Sequence, residues 1–171
     1  MKQQVLVDMD GVLADVYAQF INYEYNESGI RLSVKELNGK TEAEAFPHYL
    51  RHVNQENFFR NAPVITDSIE GLKYLNDKYN VLIVSSATEF PRSLTEKQAW
   101  LNQYFPFIGW EQMIFCGRKD SIKGDIMIDD HIKNLGNFEG EKLLFTQPHN
   151  VNIQNRNLQR VTDWKDVMRK L

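Results

Sequence analysis

Val5-Leu6-Val7-Asp8-Met9-Asp10-Gly11-Val12-Leu13-Ala14-Asp15 opens as an apolar run and ends in acids. The run Val5 to Met9 is too short for a helix and has the branched, apolar character of a strand buried on both faces. Asp8 and Asp10 stand two residues apart, which points both side chains to the same side if strand geometry persists that far. Gly11 then lets the chain turn sharply. Four further runs have the same character: Val81 to Val84, Met113 to Cys116, Ile126 to Ile128 and Leu143 to Phe145.

Helical spacing fills the intervals, with Ile69, Leu72 and Leu75, then Leu94, Leu101 and Tyr104, and last Trp164, Val167, Met168 and Leu171 after an N-cap at Thr162 or Asp163. Alternating strands and helices predict an α/β fold, a parallel sheet with helices on both faces. From Asp15 to about Pro63 there are helical patterns but no convincing strand. The expected organisation is a core of residues 1–15 and 64–171 with a small helical cap, 16–63, inserted after the first strand.

The 171 residues, 42% hydrophobic, suffice for one compact domain plus a small insertion but not for two domains of ordinary size. A net charge of −3 argues against a broad basic surface, so polymeric nucleic acid is not an expected partner. The best apolar run, Val81-Leu82-Ile83-Val84, stops at Ser85-Ser86, far short of the roughly 18 residues a membrane span needs. With a single cysteine and Met1-Lys2-Gln3-Gln4 leading directly into a strand instead of a secretory apolar segment, the expected location is the cytoplasm.

In open parallel sheets, ligands bind beyond the carboxyl ends of the strands. The polar residues there are Asp8 and Asp10, Ser85-Ser86, and Asp129-Asp130, with Lys119 shortly before the fourth strand. An aspartate pair at a strand end is by itself more often a turn or a helix cap than a catalytic pair, and a lone lysine is more often an exposed loop residue. All of these residues, however, fall at matching ends of the expected strands. Carboxylates gathered in this way repel one another unless a cation joins them, and an all-oxygen set that shares its ion with water and phosphate suits Mg2+.

Phosphoryl transfer needs a nucleophile, neutralisation of the phosphoryl oxygens and one managed proton. Asp8 is the candidate nucleophile and Asp10 the candidate acid and base, while Ser85 and Lys119 are candidates to hold the phosphoryl oxygens.

These residues resemble the four motifs of the haloacid dehalogenase-like (HAD) superfamily of aspartate-nucleophile phosphatases, in the family's order: Asp8-Met9-Asp10-Gly11-Val12, Ser85, Lys119 and Asp129-Asp130. Within it the chain is most similar to the bacterial branch of the 5'(3')-deoxyribonucleotidases, through Asp8 to Asp15, Asn57-Phe58-Phe59-Arg60, Phe115-Cys116-Gly117-Arg118-Lys119 and Ile128-Asp129-Asp130. The resemblance implies a Rossmann-like core and hydrolysis of deoxyribonucleoside monophosphates. It also implies Asp8, the Asp10 carbonyl and Asp130 as direct Mg2+ ligands, Asp129 as a partner that supports the ligands, and Ser86 beside Ser85 at the phosphate. Two positions depart from the family: both residues of the second motif are serine where threonine-serine is usual, and Val16 replaces an aromatic after the first motif.

Other readings are a phosphatase or mutase for a phosphosugar or another small phosphometabolite, and a non-enzymatic receiver-like switch. A receiver carries its phosphorylated aspartate on a central strand, whereas Asp8 stands on the first strand of the chain. A dehalogenase is disfavoured because it needs neither Asp10 nor Asp130. Among the cap aromatics, Phe46 and Tyr49 are weak substrate candidates and most of the others read as core. His131, His149, Cys116 and Trp164 read as turn or packing residues.

Overall fold

A computed structural model of the chain describes residues 2–171. Six strands, β1 (Gln4–Val7), β2 (Asn80–Ser85), β3 (Met113–Phe115), β4 (Ile126–Asp129), β5 (Glu141–Phe145) and β6 (Gln159–Val161), form one parallel sheet in the order β3-β2-β1-β4-β5-β6. The helices, in chain order, are α1 (Val16–Ser28), α2 (Glu42–Ala45), α3 (Tyr49–Val53), α4 (Ser68–Lys78), α5 (Pro91–Tyr104), α6 (Ile132–Leu135) and α7 (Trp164–Lys170). Asp163 is the N-cap of α7, accepting from the Asp166 amide at 2.7 Å.

Strand parity divides the core in two. Val5, Val7, Ile83, Ile126 and Ile128 face α4, α5 and α7, whereas Leu6, Val84, Met127 and Leu144 face the short α6 and the loop at Phe138. Helices therefore cover both faces, but unevenly.

β6 has no counterpart among the expected strands: it is an edge strand of three residues, of which only Val161 is fully buried. Among the described residues, the segment between β1 and α4 contains helices and no named strand. Its two ends are tied together, since Asp15 N donates to Pro63 O at 2.7 Å and Ile65 N to Leu13 O at 2.8 Å. None of the helices among the described residues is long and apolar enough to cross a membrane.

β1, first in the chain, lies in the middle of the sheet between β2 and β4. Position in the sequence therefore does not set Asp8 apart from a receiver's aspartate; the order 3-2-1-4-5-6 does, because receivers have the order 2-1-3-4-5. The connections reverse direction between β1 and β4, which opens a crevice at their carboxyl ends.

Candidate active site

Asp8 follows β1, Ser85 ends β2 and Asp129 ends β4, so adjacent central strands deliver all three to the crevice. Lys119, in the loop between β3 and β4, is buried, and its Nζ lies 2.6 Å from Asp8 Oδ1 and 2.7 Å from Asp129 Oδ2. Burial opposes its charge, but the two carboxylates outweigh this and raise its pKa. Asp8 Oδ1 also accepts from the Met9 amide at 2.7 Å.

Gly11 has φ +75°, and a Cβ there would collide with Asp130 Oδ2. The glycine thus serves both the turn and the close approach of Asp130 to the first motif. The Val12 carbonyl accepts from Trp164 Nε1 at 2.8 Å, so the fully buried Trp164 of α7 does more than pack: it props the loop that carries the acids.

Carboxylate oxygens of Asp8, Asp129 and Asp130 lie within 4.8 Å of one another. The Asp129 oxygens are engaged by Lys119, the His131 amide at 2.8 Å and Asn134 Nδ2 at 3.0 Å. Asp130 differs: its Oδ1 is buried and has no hydrogen-bond partner. Burial raises the Asp8 carboxyl to about 7; Lys119 opposes this, and Asp129 and Asp10 add to it. Burial, Asp8, Asp129 and Glu42 likewise raise Asp130. An orphaned buried oxygen and two carboxyls pushed upward are what a cation would correct, so the donor set fits a divalent ion bound by oxygen.

Asp130 is held through its backbone: its carbonyl accepts from Asn150 Nδ2 at 2.8 Å and lies 2.9 Å from His149 Nε2. Tyr17 Oη in turn meets His149 Nδ1 at 2.8 Å and Glu42 Oε1 at 2.7 Å. His149 therefore belongs to the framework of the site. His131 stacks on it at 4.2 Å and faces the cleft, with burial and the neighbouring His149 holding it below the ordinary histidine range.

The largest departure from the sequence reading is Lys97. This buried lysine of α5 places Nζ 2.6 Å from Asp10 Oδ2 and 3.0 Å from Ser85 Oγ, and 4.7 Å from the centre of the Phe59 ring. Its signal was present, since Lys97 lies on the apolar stripe with Leu94, Leu101 and Tyr104, where a charge requires a partner. Beside it, Glu96 accepts from the amides of Asn57, Phe59 and Arg60 at 2.8, 3.0 and 3.3 Å. Consecutive residues of α5 thus hold the second aspartate and the end of the helical segment. Asp10 is not in the carboxylate cluster; its side chain turns to Lys97 and its Oδ1 is buried without a partner.

The cleft in front of these groups has a volume of about 820 Å³, its open mouth included. Asp8, Asp10, Ser85, Ser86, Lys119 and Asp130 line it. Val16, Phe20, Tyr49, Phe59 and Phe90 also line it, together with the charged Glu42, Glu89 and Lys133. Of the two weak substrate candidates, Tyr49 lines the cleft, whereas Phe46 is fully buried and stacked on Phe20 at 4.9 Å.

The fold is HAD-like. The chain superimposes on the D,D-heptose 1,7-bisphosphate phosphatase of Burkholderia thailandensis with a TM-score of 0.59 at 11% identity, covering 99% of this chain and 97% of that one. It superimposes on a Bacillus subtilis protein described as a putative HAD-hydrolase bound to magnesium with a TM-score of 0.58 at 12% identity, covering 99% and 98%.

Sequence carries the assignment further. Residues 2–171 match the family described as 5' nucleotidase, deoxy (pyrimidine), cytosolic type C protein. The 5'(3')-deoxyribonucleotidases of Bacillus subtilis and of Bacillus phage SPbeta are each 41% identical over 174 residues, covering 100% of this chain and 99% of theirs. The chain belongs to the 5'(3')-deoxyribonucleotidase family and is a phosphoric monoester hydrolase.

Proposed function

We propose that the chain hydrolyses deoxyribonucleoside 5'- or 3'-monophosphates through a phosphoaspartate on Asp8, with Mg2+ held by Asp8, Asp130 and the Asp10 carbonyl and with residues 16–63 acting as the cap that receives the nucleoside. The observation that carries this is the conjunction at the switch point of a buried Asp8, two buried lysines and the orphaned Asp130 oxygen.

Lys119 and the Met9 amide fix the Asp8 carboxylate through Oδ1. As a bond forms between the Asp8 carboxylate and phosphorus and the ester P–O bond breaks, Asp10 gives its proton to the departing sugar oxygen. Water then attacks the phosphorus of the acyl phosphate and passes a proton to Asp10, releasing inorganic phosphate and restoring both aspartates. Lys97 orients Asp10 and Ser85 together, and Ser85, Ser86 and Lys119 hold the phosphoryl oxygens. When bound, Mg2+ would supply charge neutralisation at the phosphoryl group. Asp129 anchors Lys119.

Asp10→Asn is expected to lower kcat by roughly 100- to 10,000-fold, the range of general acid–base catalysis. Lys97→Ala should reproduce part of that loss, because it frees the Asp10 carboxylate from its fixed position. An Asp10→Asn rate within a few-fold of the wild type would remove Asp10 from this role.

Magnesium dependence has a thermal signature. The raised carboxyls of Asp8 and Asp130 favour the folded metal-free chain while they are protonated, and that contribution is lost as pH rises, through about 7 for Asp8. Mg2+ competes with those protons, so its stabilising shift in Tm should be larger near about pH 8 than near about pH 5.5. EDTA should abolish both that shift and turnover. An equal shift at both pH values, or one retained in Asp130→Asn, would contradict this metal site.

Where apolar side chains of the cleft lining such as Phe20 and Phe90 enclose the sugar, a 2'-hydroxyl is costly to bury without a partner, by about 1 to 3 kcal/mol. Deoxynucleotides should therefore exceed ribonucleotides in kcat/KM by roughly tenfold to a hundredfold. Phosphate release from paired deoxy- and ribonucleotides beside common sugar phosphates tests this. A sugar phosphate with the highest kcat/KM would overturn the substrate and leave the phosphoaspartate chemistry standing.

A further inference from the structure

Away from the phosphate end of the cleft, three ligand-bearing side chains converge between α1 and α3. Glu24 of α1 is buried, and its Oε1 lies 2.8 Å from His48 Nδ1 and its Oε2 3.1 Å from His52 Nε2. His48 is the residue before α3 and His52 lies four residues on, which puts both imidazoles on one face of a helical turn. One donor atom from each of the three residues can be chosen so that all lie within 4.8 Å of one another.

Several features set this cluster apart from an ordinary hydrogen-bonded pair. Burial alone would raise the Glu24 carboxyl, but hydrogen bonds from His48 and His52 outweigh it and hold the group below its usual range, so it is a buried carboxylate. Among the described residues its ion-pair partners are those two histidines, and neither carries a permanent charge. With neutral imidazoles the cluster holds one uncompensated negative charge. Its N2O donor set is that of the borderline transition metals and not of Mg2+. Metal bonds of about 2.0 to 2.1 Å at the tetrahedral angle set ligand atoms about 3.3 Å apart, and the N···O distances of 2.8 and 3.1 Å in the cluster lie within a few tenths of an ångström of that spacing. The His48 side chain is 32% exposed, which gives an ion a way in and leaves room for a water as fourth ligand.

We propose that Glu24, His48 and His52 form a second divalent-cation site, of the Zn2+ class, that clamps α1 to α3. The clamp lies behind the cleft wall, since the His52 ring packs 6.5 Å from that of Phe20, which lines the cleft. It is separate from the carboxylate cluster of Asp8, Asp129 and Asp130 and does not depend on the nucleotidase reading. The competing reading is a metal-free clamp in which each histidine donates one N–H to Glu24. His52 Nδ1 lacks a partner in either form and does not separate the two.

Titrating the Mg2+-saturated chain with Co2+, which reports histidine ligation by visible absorption, separates them. We expect one equivalent of Co2+ to give that absorption and Zn2+ to displace it. His48→Ala, at a part-exposed position, should weaken binding by about 100-fold or more, since losing a ligand outweighs the roughly 10- to 100-fold penalty of losing a ligand's hydrogen-bond partner. The isosteric Glu24→Gln should do the same, whereas His149→Ala, in the other histidine cluster, should leave the absorption intact. The proposal is overturned if no absorption develops, if it survives both His48→Ala and Glu24→Gln, or if His149→Ala removes it. His48→Ala decides the matter even if Glu24→Gln fails to fold.

Discussion

Asp8→Asn is expected to abolish turnover, by at least about 10,000-fold in kcat, while the chain still folds. The amide fills the volume of the carboxylate but cannot form an acyl phosphate, and it is a poorer ligand for a cation. Folding should survive because burial already disfavours the charge at this position, as the upward displacement of the Asp8 carboxyl to about 7 indicates. In the metal-free chain the wild type loses stability as Asp8 ionises through that pH, and Asn at this position does not titrate. The Tm of Asp8→Asn should consequently fall less than that of the wild type between pH values below and above 7. Trapping of a labelled phosphoryl group on the chain completes the test: it should be seen after acid quench of the wild type and be absent from the variant. A phosphorylated Asp8→Asn variant would place the nucleophile elsewhere.

Lys119→Ala should be damaging in both activity and stability. Loss of a charge-stabilising donor at the phosphate costs about 100-fold or more in kcat. Removal of the ammonium also leaves Asp8 and Asp129 buried beside each other without their shared cation, a situation worth about 3 to 5 kcal/mol when one partner of a buried ion pair is deleted. This destabilisation has a direction in pH. It should be greatest at neutral and alkaline pH and shrink as the solution is acidified, because the Asp8 carboxyl can then take up a proton. Lys119→Met keeps most of the volume and should lose nearly as much, which separates the charge from the cavity. Comparing urea midpoints of the two variants on either side of neutrality is the measurement. A pH-independent loss, confined to Lys119→Ala, would reduce Lys119 to a packing role.

Local pattern made much of this molecule legible. Short branched runs with no room for a helix gave five of the six strands, and the polar residues after β1, β2 and β4 marked the crevice. Asp8 and Gly11 could be read because a strand end and a turn glycine are local signals, whereas the period-two spacing did not carry Asp10 into the carboxylate cluster, since β1 ends at Val7. β6 escaped because an edge strand needs only one buried side chain, and Gln159-Arg160-Val161 has no alternation to detect. Phe46 and Tyr49 were equivalent in the sequence, and packing separated them, sending one ring into the core and the other to the cleft.

Roles that depend on distant partners followed a different rule. Nothing adjacent to Lys97 announces Asp10 or Ser85; the ion pair exists because α5 lays its apolar stripe against the sheet and carries the lysine in with it. The same holds for His149, which stands in a turn by sequence but bridges Tyr17 to the backbone of Asp130. It holds too for Trp164, whose indole reaches back to the Val12 carbonyl. Which of two neighbouring aspartates is left with an orphaned oxygen was also a tertiary matter, since Lys119, Asn134 and the His131 amide satisfy Asp129 and leave Asp130 Oδ1 with none. By itself the sequence determined the strand pattern, the family and the acids at the strand ends, because these are encoded in hydrophobic periodicity and short-range spacing. Only the tertiary structure decided which lysine meets which carboxylate, because that depends on side chains brought together across the sheet from positions as far apart as Asp10 and Lys97.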